Sequence, residues 1–314
     1  MATHAPIHHV GDRMRLIDGF DLGYPGRTGT YVLMEEALTL IETGPSPSIP
    51  YVLDGLHSLG IDPADIQYII VTHIHLDHAG GAGLLLQECP NATVVVHPRG
   101  KRHLADPSRL IAGARAVYGD TFGELFDPIL PIPEKRLLTK EDGDTLELSS
   151  ACTLRFLDTP GHANHHYSIY DPVSNGIFSG DTAGIRYHQT QDYGLTFYLP
   201  STSPNQFNPD EMIASIERLR NLNLDRIYFG HFGESQDPEI VYTQVTQWLP
   251  HFIEAGKQAL ANNEGTAGIQ RRLLDHITGY LEQYNIPDNH SVYDILKLDC
   301  DVCAMGIADY LAKK

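Results

Sequence analysis

Three imidazoles and one carboxylate stand within six residues at His73-Ile-His75-Leu-Asp77-His78. Nitrogen and carboxylate donors this close together suit metal binding, and four of them can serve two ions. His73 and His75 are two apart on an extended stretch, so both rings can face one side. Asp77 and His78 follow as the chain turns toward a helix and can serve a second position nearby. Two divalent ions sharing a water would lower its pKa toward neutrality and polarise a carbonyl.

Three more donors stand in matching places, each just past a predicted strand. Phe156-Leu-Asp-Thr-Pro-Gly161 leads to His162, Phe178-Ser-Gly180 to Asp181, and Tyr228-Phe-Gly230 to His231. Glycine beside each donor permits close backbone approach at a crowded site. With the tetrad they make a set of seven: His73, His75, Asp77, His78, His162, Asp181 and His231. The donors are nitrogen and oxygen without thiolate, which suits two Zn²⁺ ions first and Fe²⁺ or Mn²⁺ also.

The elements that must position these groups are legible around them. Tyr68-Ile-Ile-Val71 is a short apolar run that reads as a buried strand, and Leu84–Glu88 reads as a helix after the glycines. Short strands are predicted at 14–17, 30–33 and 38–41, then a helix carrying Val52, Leu56 and Leu59, and a strand at Thr93–Val96. His97-Pro98 ends that strand. Residues 99–135 break the rhythm as an insertion, helical over 104–118 and loop-like over 119–133, suited to a lid or a partner surface. Strands resume at 135–138, 145–148, 154–157, 167–170 and 176–179. A helix at 209–222 leads into strand 226–229, and helices are predicted at 238–262, 266–283 and 291–312. This order fits two mixed sheets facing each other, covered outside by helices.

The formal net charge of −18 argues against binding a phosphate backbone as the main role. No segment reaches the apolar length of a membrane span, and Met1–His9 lacks the basic start and apolar stretch of a signal peptide, so a cytoplasmic protein is expected. His4, His8 and His9 read as a solvated tail. Cys89 and Cys152 read as core thiols. Cys300-Asp-Val-Cys303 lacks two further ligands and reads as buried cysteine in a helical tail. Leu273, Leu274, Ile277, Leu281 and Tyr284, and likewise Ile295, Leu298, Val302 and Met305, form stripes at helical spacing that should dock those helices.

Over roughly residues 14–235 the chain resembles the metallo-β-lactamase superfamily of hydrolases, through the ligand-bearing segments quoted above. The resemblance implies an α/β fold, the four-layer αβ/βα sandwich, with the 99–135 insertion and a helical C-terminal extension. Residues 1–236 would form the metallo-hydrolase domain and 237–314 the extension packed on it. It implies that His73, His75 and His162 bind a first ion, that Asp77, His78 and His231 bind a second, and that Asp181 bridges. Many members carry aspartate where this chain has Glu42-Thr43-Gly44, a departure that bears on the loop beside the site. In the lactonase branch a tyrosine shortly after the bridging aspartate stabilises the carbonyl oxygen. Here the third residue on is Gly184, so either Tyr187 or His188 substitutes as hydrogen-bond donor or both are rim residues, and Asp77 is the candidate for proton transfer. Tyr193, Phe197 and Tyr198 either line an apolar pocket or pack the insertion.

Exported β-lactamases lack the bridging aspartate, the basic pattern of glyoxalase II tails is missing, and nucleases need further motifs. The expected activity is therefore hydrolysis of a small carboxylic ester, lactone or thioester by a di-metal-activated hydroxide. The expected partners are a small acyl substrate, neither nucleic acid nor membrane, and a second copy through 99–135 or the C-terminal helices. The alternatives are a non-catalytic metal-binding or sensing protein, or a di-iron redox enzyme on the same fold. Redox relatives fuse a flavodoxin domain and usually carry glutamate for one tetrad histidine, and this chain shows neither feature.

Overall fold

Apolar β-branched runs such as Ile69-Ile70 and Val94-Val95-Val96 can be buried on both faces only in the middle of a covered parallel sheet. That is where they lie. The computed structural model describes residues 5–314. Its strands, in chain order, are β1 (Ile7–Val10), β2 (Met14–Asp18), β3 (Gly29–Leu33), β4 (Thr39–Ile41), β5 (Tyr68–Ile70), β6 (Thr93–Val96), β7 (Leu137–Thr139), β8 (Thr145–Ser149), β9 (Cys152–Asp158), β10 (Tyr167–Asp171), β11 (Gly176–Gly180), β12 (Ile185–Arg186), β13 (Tyr198–Leu199), β14 (Arg226–Phe229) and β15 (Glu234–Ser235). The architecture is the αβ/βα sandwich, with extra helices inserted and at the C-terminus.

The chain divides into two compact units. The first runs to Asp158 and adds His165–Gly180 and Leu224–Gln236; the second is Thr159–Asn164, Asp181–Asn223 and Asp237–Lys314. Both large sheets belong to the first unit. One has the order β1-β2-β3-β4-β5-β6-β7, antiparallel as far as β4 and parallel from there on. The other has the order β15-β14-β11-β10-β9-β8, antiparallel except where β11 and β14 run parallel. Their facing sides share one core, with Leu16, Tyr31, Ile41 and Val95 from the first sheet against Phe156, Ile169, Phe178 and Tyr228 from the second. Strand β9 shows why. Cys152, Leu154 and Phe156 point inward while Thr153 and Arg155 are exposed, the period of two expected of a half-covered strand. The outer side of the seven-stranded sheet is covered by α1 (Ile49–Ser58) and, after the short helix α2 (Leu76–Ala79), by α3 (Ala82–Glu88), through Val52, Leu56, Leu85 and Leu86.

Several expectations change on contact with the structure. His8 and His9 are exposed, as a solvated position requires, but they are not a tail: both lie on β1, paired with β2, and the His8 ring stands edge-on to Phe232 at 5.1 Å. His4 lies outside the described residues. The inserted helix begins earlier than predicted and is broken in two, as α4 (Pro98–Ala105) and α5 (Ser108–Tyr118). Proline at 107 pushes the preceding residue out of the helical region, and Asp106 is extended at φ −134°, ψ 95°. The loop-like stretch contains α6 (Phe122–Phe126), whose Phe122 and Phe126 form a small core with Leu76, the residue between His75 and Asp77.

The second unit holds α7 (Pro209–Arg220), the β12–β13 hairpin, and three helices that pack on one another: α8 (Pro238–Ala261), α9 (Gly265–Leu281) and α10 (Val292–Ala312). On α9 the predicted Leu273, Ile277 and Leu281 are buried. On α10 the buried face is turned from the expected one. Ile295 is buried with Leu296, Cys300, Cys303 and Ile307, whereas Leu298 is exposed. Apolar residues surround this helix, so periodicity singles out its buried face poorly. All four cysteines are free and buried. Burial pushes the Cys152 and Cys303 thiols up to about 11 and Cys89 up to about 12, away from thiolate chemistry. Among the described residues no helix is long and apolar enough to cross a membrane.

Candidate metal centre

The tetrad begins shortly after β5 and ends inside α2, so a strand end and a helix start together fix its four donors. The His73 ring lies 4.6 Å from that of His75 and 4.2 Å from that of His78, centroid to centroid. Asp77, His78 and His231 each offer one ligand atom within 4.8 Å of the other two, and His73 comes within the same distance of His75 and of His78. Asp77 Oδ2 lies 3.7 Å from His78 Nε2 and 3.6 Å from His231 Nε2. His73, His78 and His231 are buried, while 28% of the Asp77 side chain is exposed, so Asp77 faces the solvent side of the cluster.

Two glycines make room for these groups. A Cβ on Gly180, whose φ is +48°, would come within 2.6 Å of Thr72 Oγ1 and 2.4 Å of His166 Nε2. A Cβ on Gly230 would meet the His78 ring at 2.5 Å.

The turn after β4 clamps the tetrad from behind. Glu42 takes a left-handed φ of 64°, unusual for a side chain-bearing residue. Its Oε1 accepts the Thr72 N–H at 3.3 Å and the Thr72 hydroxyl, while Oε2 lies 3.6 Å from His78 Nδ1. Thr72 Oγ1 is in turn 3.0 Å from His73 Nδ1. One arrangement satisfies all three: His73 Nδ1–H donates to Thr72, the Thr72 hydroxyl donates to Glu42, and His73 Nε2 keeps its lone pair for a metal. The Thr43 N–H and hydroxyl both donate to the His78 carbonyl, at 3.0 and 2.9 Å, and the Gly81 N–H donates to the Gly44 carbonyl at 2.9 Å. The glutamate of the Glu42-Thr43-Gly44 turn therefore keeps a supporting place behind the donors.

In the second unit His162 and Asp181 face each other, with His162 Nε2 3.6 Å from Asp181 Oδ2. The His162 Nδ1–H donates to the Ser201 carbonyl at 3.1 Å, and the Ser201 hydroxyl donates to Asp181 Oδ2 at 2.9 Å. Ser201 thus orients both groups and makes His162 Nε2 the unprotonated nitrogen, which accepts a long 3.4 Å hydrogen bond from the Ser203 hydroxyl where an ion would compete for it.

Sequence reasoning alone does not reach Asp21, Ser201, His165 or His166. The His165 ring lies 5.4 Å from that of His75, and the His166 ring lies 5.0 Å from that of His73. Two imidazoles in a row shortly after His162 are the available signal. Asp21 is buried in the turn after β2, its Oδ2 3.3 Å from Arg27 Nε. Burial raises its pKa to about 6, with the Arg27 charge pulling it back. Nothing in its sequence context points to the site.

Crowding buried imidazoles and carboxylates together is costly unless something compensates them. Divalent cations do so, and an all-nitrogen-and-oxygen donor set with oriented outer nitrogens fits them. Residues 24–231 match the description "Metallo-beta-lactamase superfamily". The chain belongs to that superfamily. Among its superfamily relatives, the metallo-β-lactamase fold-containing protein ST1585 of Sulfurisphaera tokodaii is 27% identical over 257 residues, covering 80% of this chain and 87% of that one. An N-acyl homoserine lactonase, AttM of Azorhizobium caulinodans, is 29% identical over 167 residues, 52% of this chain, and the match spans little more than half (56%) of the lactonase. The crystal structure of a metallo-β-lactamase family protein from Thermus thermophilus aligns with a TM-score of 0.66 at 20% identity, covering 96% of this chain and 93% of that one, a likeness of fold.

The candidates for contact with substrate lie in the second unit. The Tyr187 hydroxyl is buried and donates to Asp299 Oδ2 at 2.8 Å, so it is already engaged with α10. His188 is half-buried, its Nε2 3.1 Å from Gln189 Nε2. Phe197 and Tyr198 are buried, and the Phe197 ring packs against Tyr187, Trp248 and Tyr280 at 5.6, 5.9 and 5.5 Å, as core. Tyr193 is exposed and meets the His290 ring at 5.3 Å. His97 belongs to the first unit: its Nδ1 accepts the Arg99 N–H at 3.1 Å at the start of α4, and its Nε2 lies 3.3 Å from Asp158.

Proposed function

We propose that this chain is a binuclear metal-dependent hydrolase acting on a small carboxylic ester, lactone or thioester. His73, His75 and His162 would hold one ion and Asp77, His78 and His231 the other, with Asp181 as the donor that would be shared between them. The observation that carries the reading is the backed donor cluster of Asp77, His78 and His231 beside His73, with Glu42 and Thr72 behind it. Further support comes from residue type, since His162 and Asp181 add an imidazole and a carboxylate, each oriented by Ser201, to the donors of the first unit. Chain connectivity agrees. Asp181 is one peptide, about 3.8 Å between Cα atoms, from Gly180, and Gly180 lies against Thr72.

Bound there, two divalent ions would supply an activated water near neutral pH and stabilise charge developing on a carbonyl oxygen. The chain's own groups do the rest. Glu42 with Thr72, and Ser201, fix the ring orientations of His73 and His162. Asp77, the donor on the solvent side, keeps an oxygen able to take and return a proton to the leaving alkoxide or thiolate.

The likeness to the lactonase AttM supports a lactone within that class. Gly184, the position where lactonases place a tyrosine, packs so closely that a Cβ would meet the Leu199 carbonyl at 2.3 Å. A lactone would therefore bind without a tyrosine from that position. The test is a panel of an acyl-homoserine lactone, an acyl-glutathione thioester and an aryl acetate, assayed on protein of measured metal content. Metal-dependent turnover of one of them is expected. Tight metal binding with no turnover of any would favour a sensing role.

A further inference from the structure

The insertion carries an uneven charge. Between residues 99 and 115 stand Arg99, Lys101, Arg102, Arg109 and Arg115 against a single acid, Asp106, in a chain with 40 acidic and 22 basic residues. Arg115 is paired with Asp127 at 3.7 Å. Arg102 and Arg109 instead line a cleft of about 700 Å³ together with His103. Its far wall is the extended segment Pro131-Ile132-Pro133, fixed to α4 by the Ile132 N–H donating to the Leu104 carbonyl at 2.8 Å, with both Ile132 and Leu104 anchored in the main core. The cleft is therefore a rigid feature of the first unit.

The two arginines have no ion-pair partner among the described residues; Arg102 Nε donates to His103 Nε2 at 3.1 Å. Burial, then the charges of Arg102 and Arg109, lower the His103 pKa, so the neutral imidazole is favoured beside the two guanidinium groups. A helix end explains part of this, since Arg102 and His103 sit in the last turn of α4, where positive charge is favourable. It does not explain Arg109, which sits in the first turn of α5, where a cation is unfavourable and the turn itself carries no acid. Asp106, which also lines the cleft, accepts the Ser108 N–H at 3.1 Å and is the acid whose charge acts on Arg109 there. Glu134, next to Pro133, leaves an acceptor at the apolar end of the cleft.

We propose that this cleft binds a phosphorylated small molecule with a flat apolar body: Arg102 and Arg109 take the phosphate oxygens, for which the guanidinium fork is suited, and the body lies on Pro131 and Pro133. Nucleoside diphosphate chemistry meets both demands. The site is built entirely from the insertion and does not depend on the reading of the metal centre.

The test is calorimetric titration of the metal-loaded protein with ADP, inorganic pyrophosphate and adenosine. ADP should bind more tightly than pyrophosphate, and adenosine should not bind. The double variant Arg102→Ala/Arg109→Ala should bind ADP at least about tenfold more weakly, with unchanged thermal transition, metal content and hydrolysis. Asp181→Ala, altered at the metal centre, should bind ADP as the wild type does. No ADP binding by the wild type, unchanged binding in the arginine variant, or loss of binding in Asp181→Ala would each overturn the proposal. Pyrophosphate binding as tightly as ADP would overturn the apolar body. A hydrolase that fails every ester in the panel can still bind ADP here, so the two readings fail separately.

Discussion

Glu42 accepts the backbone N–H of Thr72 through a backbone twisted to φ 64°, and the residue after Thr72 is the first of the candidate metal donors. A residue outside the donor set thus sets the orientation of the His73 ring, through the Thr72 hydroxyl, and faces the Nδ1 of His78. Such partners fix the tautomer and basicity of a ligating imidazole.

Glu42→Gln keeps the size but weakens the acceptor, and Glu42→Ala removes it. Glu42→Ala should lower metal affinity or activity by about 10–100-fold, with Glu42→Gln falling between it and the wild type. Metal titration monitored by competition with a chromophoric chelator, beside kcat on the active ester, checks this. Equal affinity in all three proteins would show Glu42 to be a packing residue only.

Ser201→Ala should act on the other half of the donor set. It removes the hydroxyl that donates to Asp181 Oδ2 but leaves the Ser201 carbonyl that accepts from His162. Losing one hydrogen bond to a charged group costs about 1.5–3 kcal/mol, so metal occupancy should fall while the fold persists. Metal content per chain after dialysis, with circular dichroism as the control, reads this directly.

Tyr187→Phe separates packing from catalysis. The buried Asp299 carboxylate would lose the Tyr187 donor, at a cost of about 1–3 kcal/mol, and the denaturation midpoint should drop. With its hydroxyl committed to Asp299, Tyr187 has none to offer a substrate, so kcat/KM should not change. A large fall in kcat with unchanged stability would return Tyr187 to the reaction.

His97 gives a pH signature. Burial lowers its pKa below the ordinary 6.5, outweighing the opposing pull of Asp158. The folded chain holds this proton less tightly than the unfolded one, so the stability His97 contributes is complete above the unfolded value and is lost as pH falls toward the folded one. His97→Asn keeps a side-chain acceptor for the Arg99 N–H but does not titrate. Between about pH 7.5 and about pH 5 the wild type should lose more stability than the variant, as read by urea unfolding. Parallel losses would show that other groups control the acid limb.

The donor set is legible because its chemistry is written in residue types: imidazoles and carboxylates, each after an apolar run and beside a glycine. The sheets are legible for the same reason, since Ile69-Ile70 and Val94–Val96 can only be interior strands. What sequence does not disclose depends on contacts made across the fold. Ser201 and Thr72 are ordinary hydroxyl residues until the chain brings them to a histidine nitrogen, and Asp21 sits in a turn with no motif. The buried face of α10 differs from the expected one because Asp299 counts as polar in sequence but is satisfied by Tyr187 in the fold. The insertion departs from expectation at Pro107, where one local restriction splits a helix that periodicity alone would continue.

The most direct test is rigorous chelation followed by stepwise return of Zn²⁺, Fe²⁺ or Mn²⁺, following hydrolysis of whichever panel substrate the protein cleaves. Activity should vanish on chelation and return in full only as the second equivalent per chain is bound, and Asp181→Ala should fail to regain it. Full-rate hydrolysis by the stripped protein, or by Asp181→Ala, would contradict a binuclear centre.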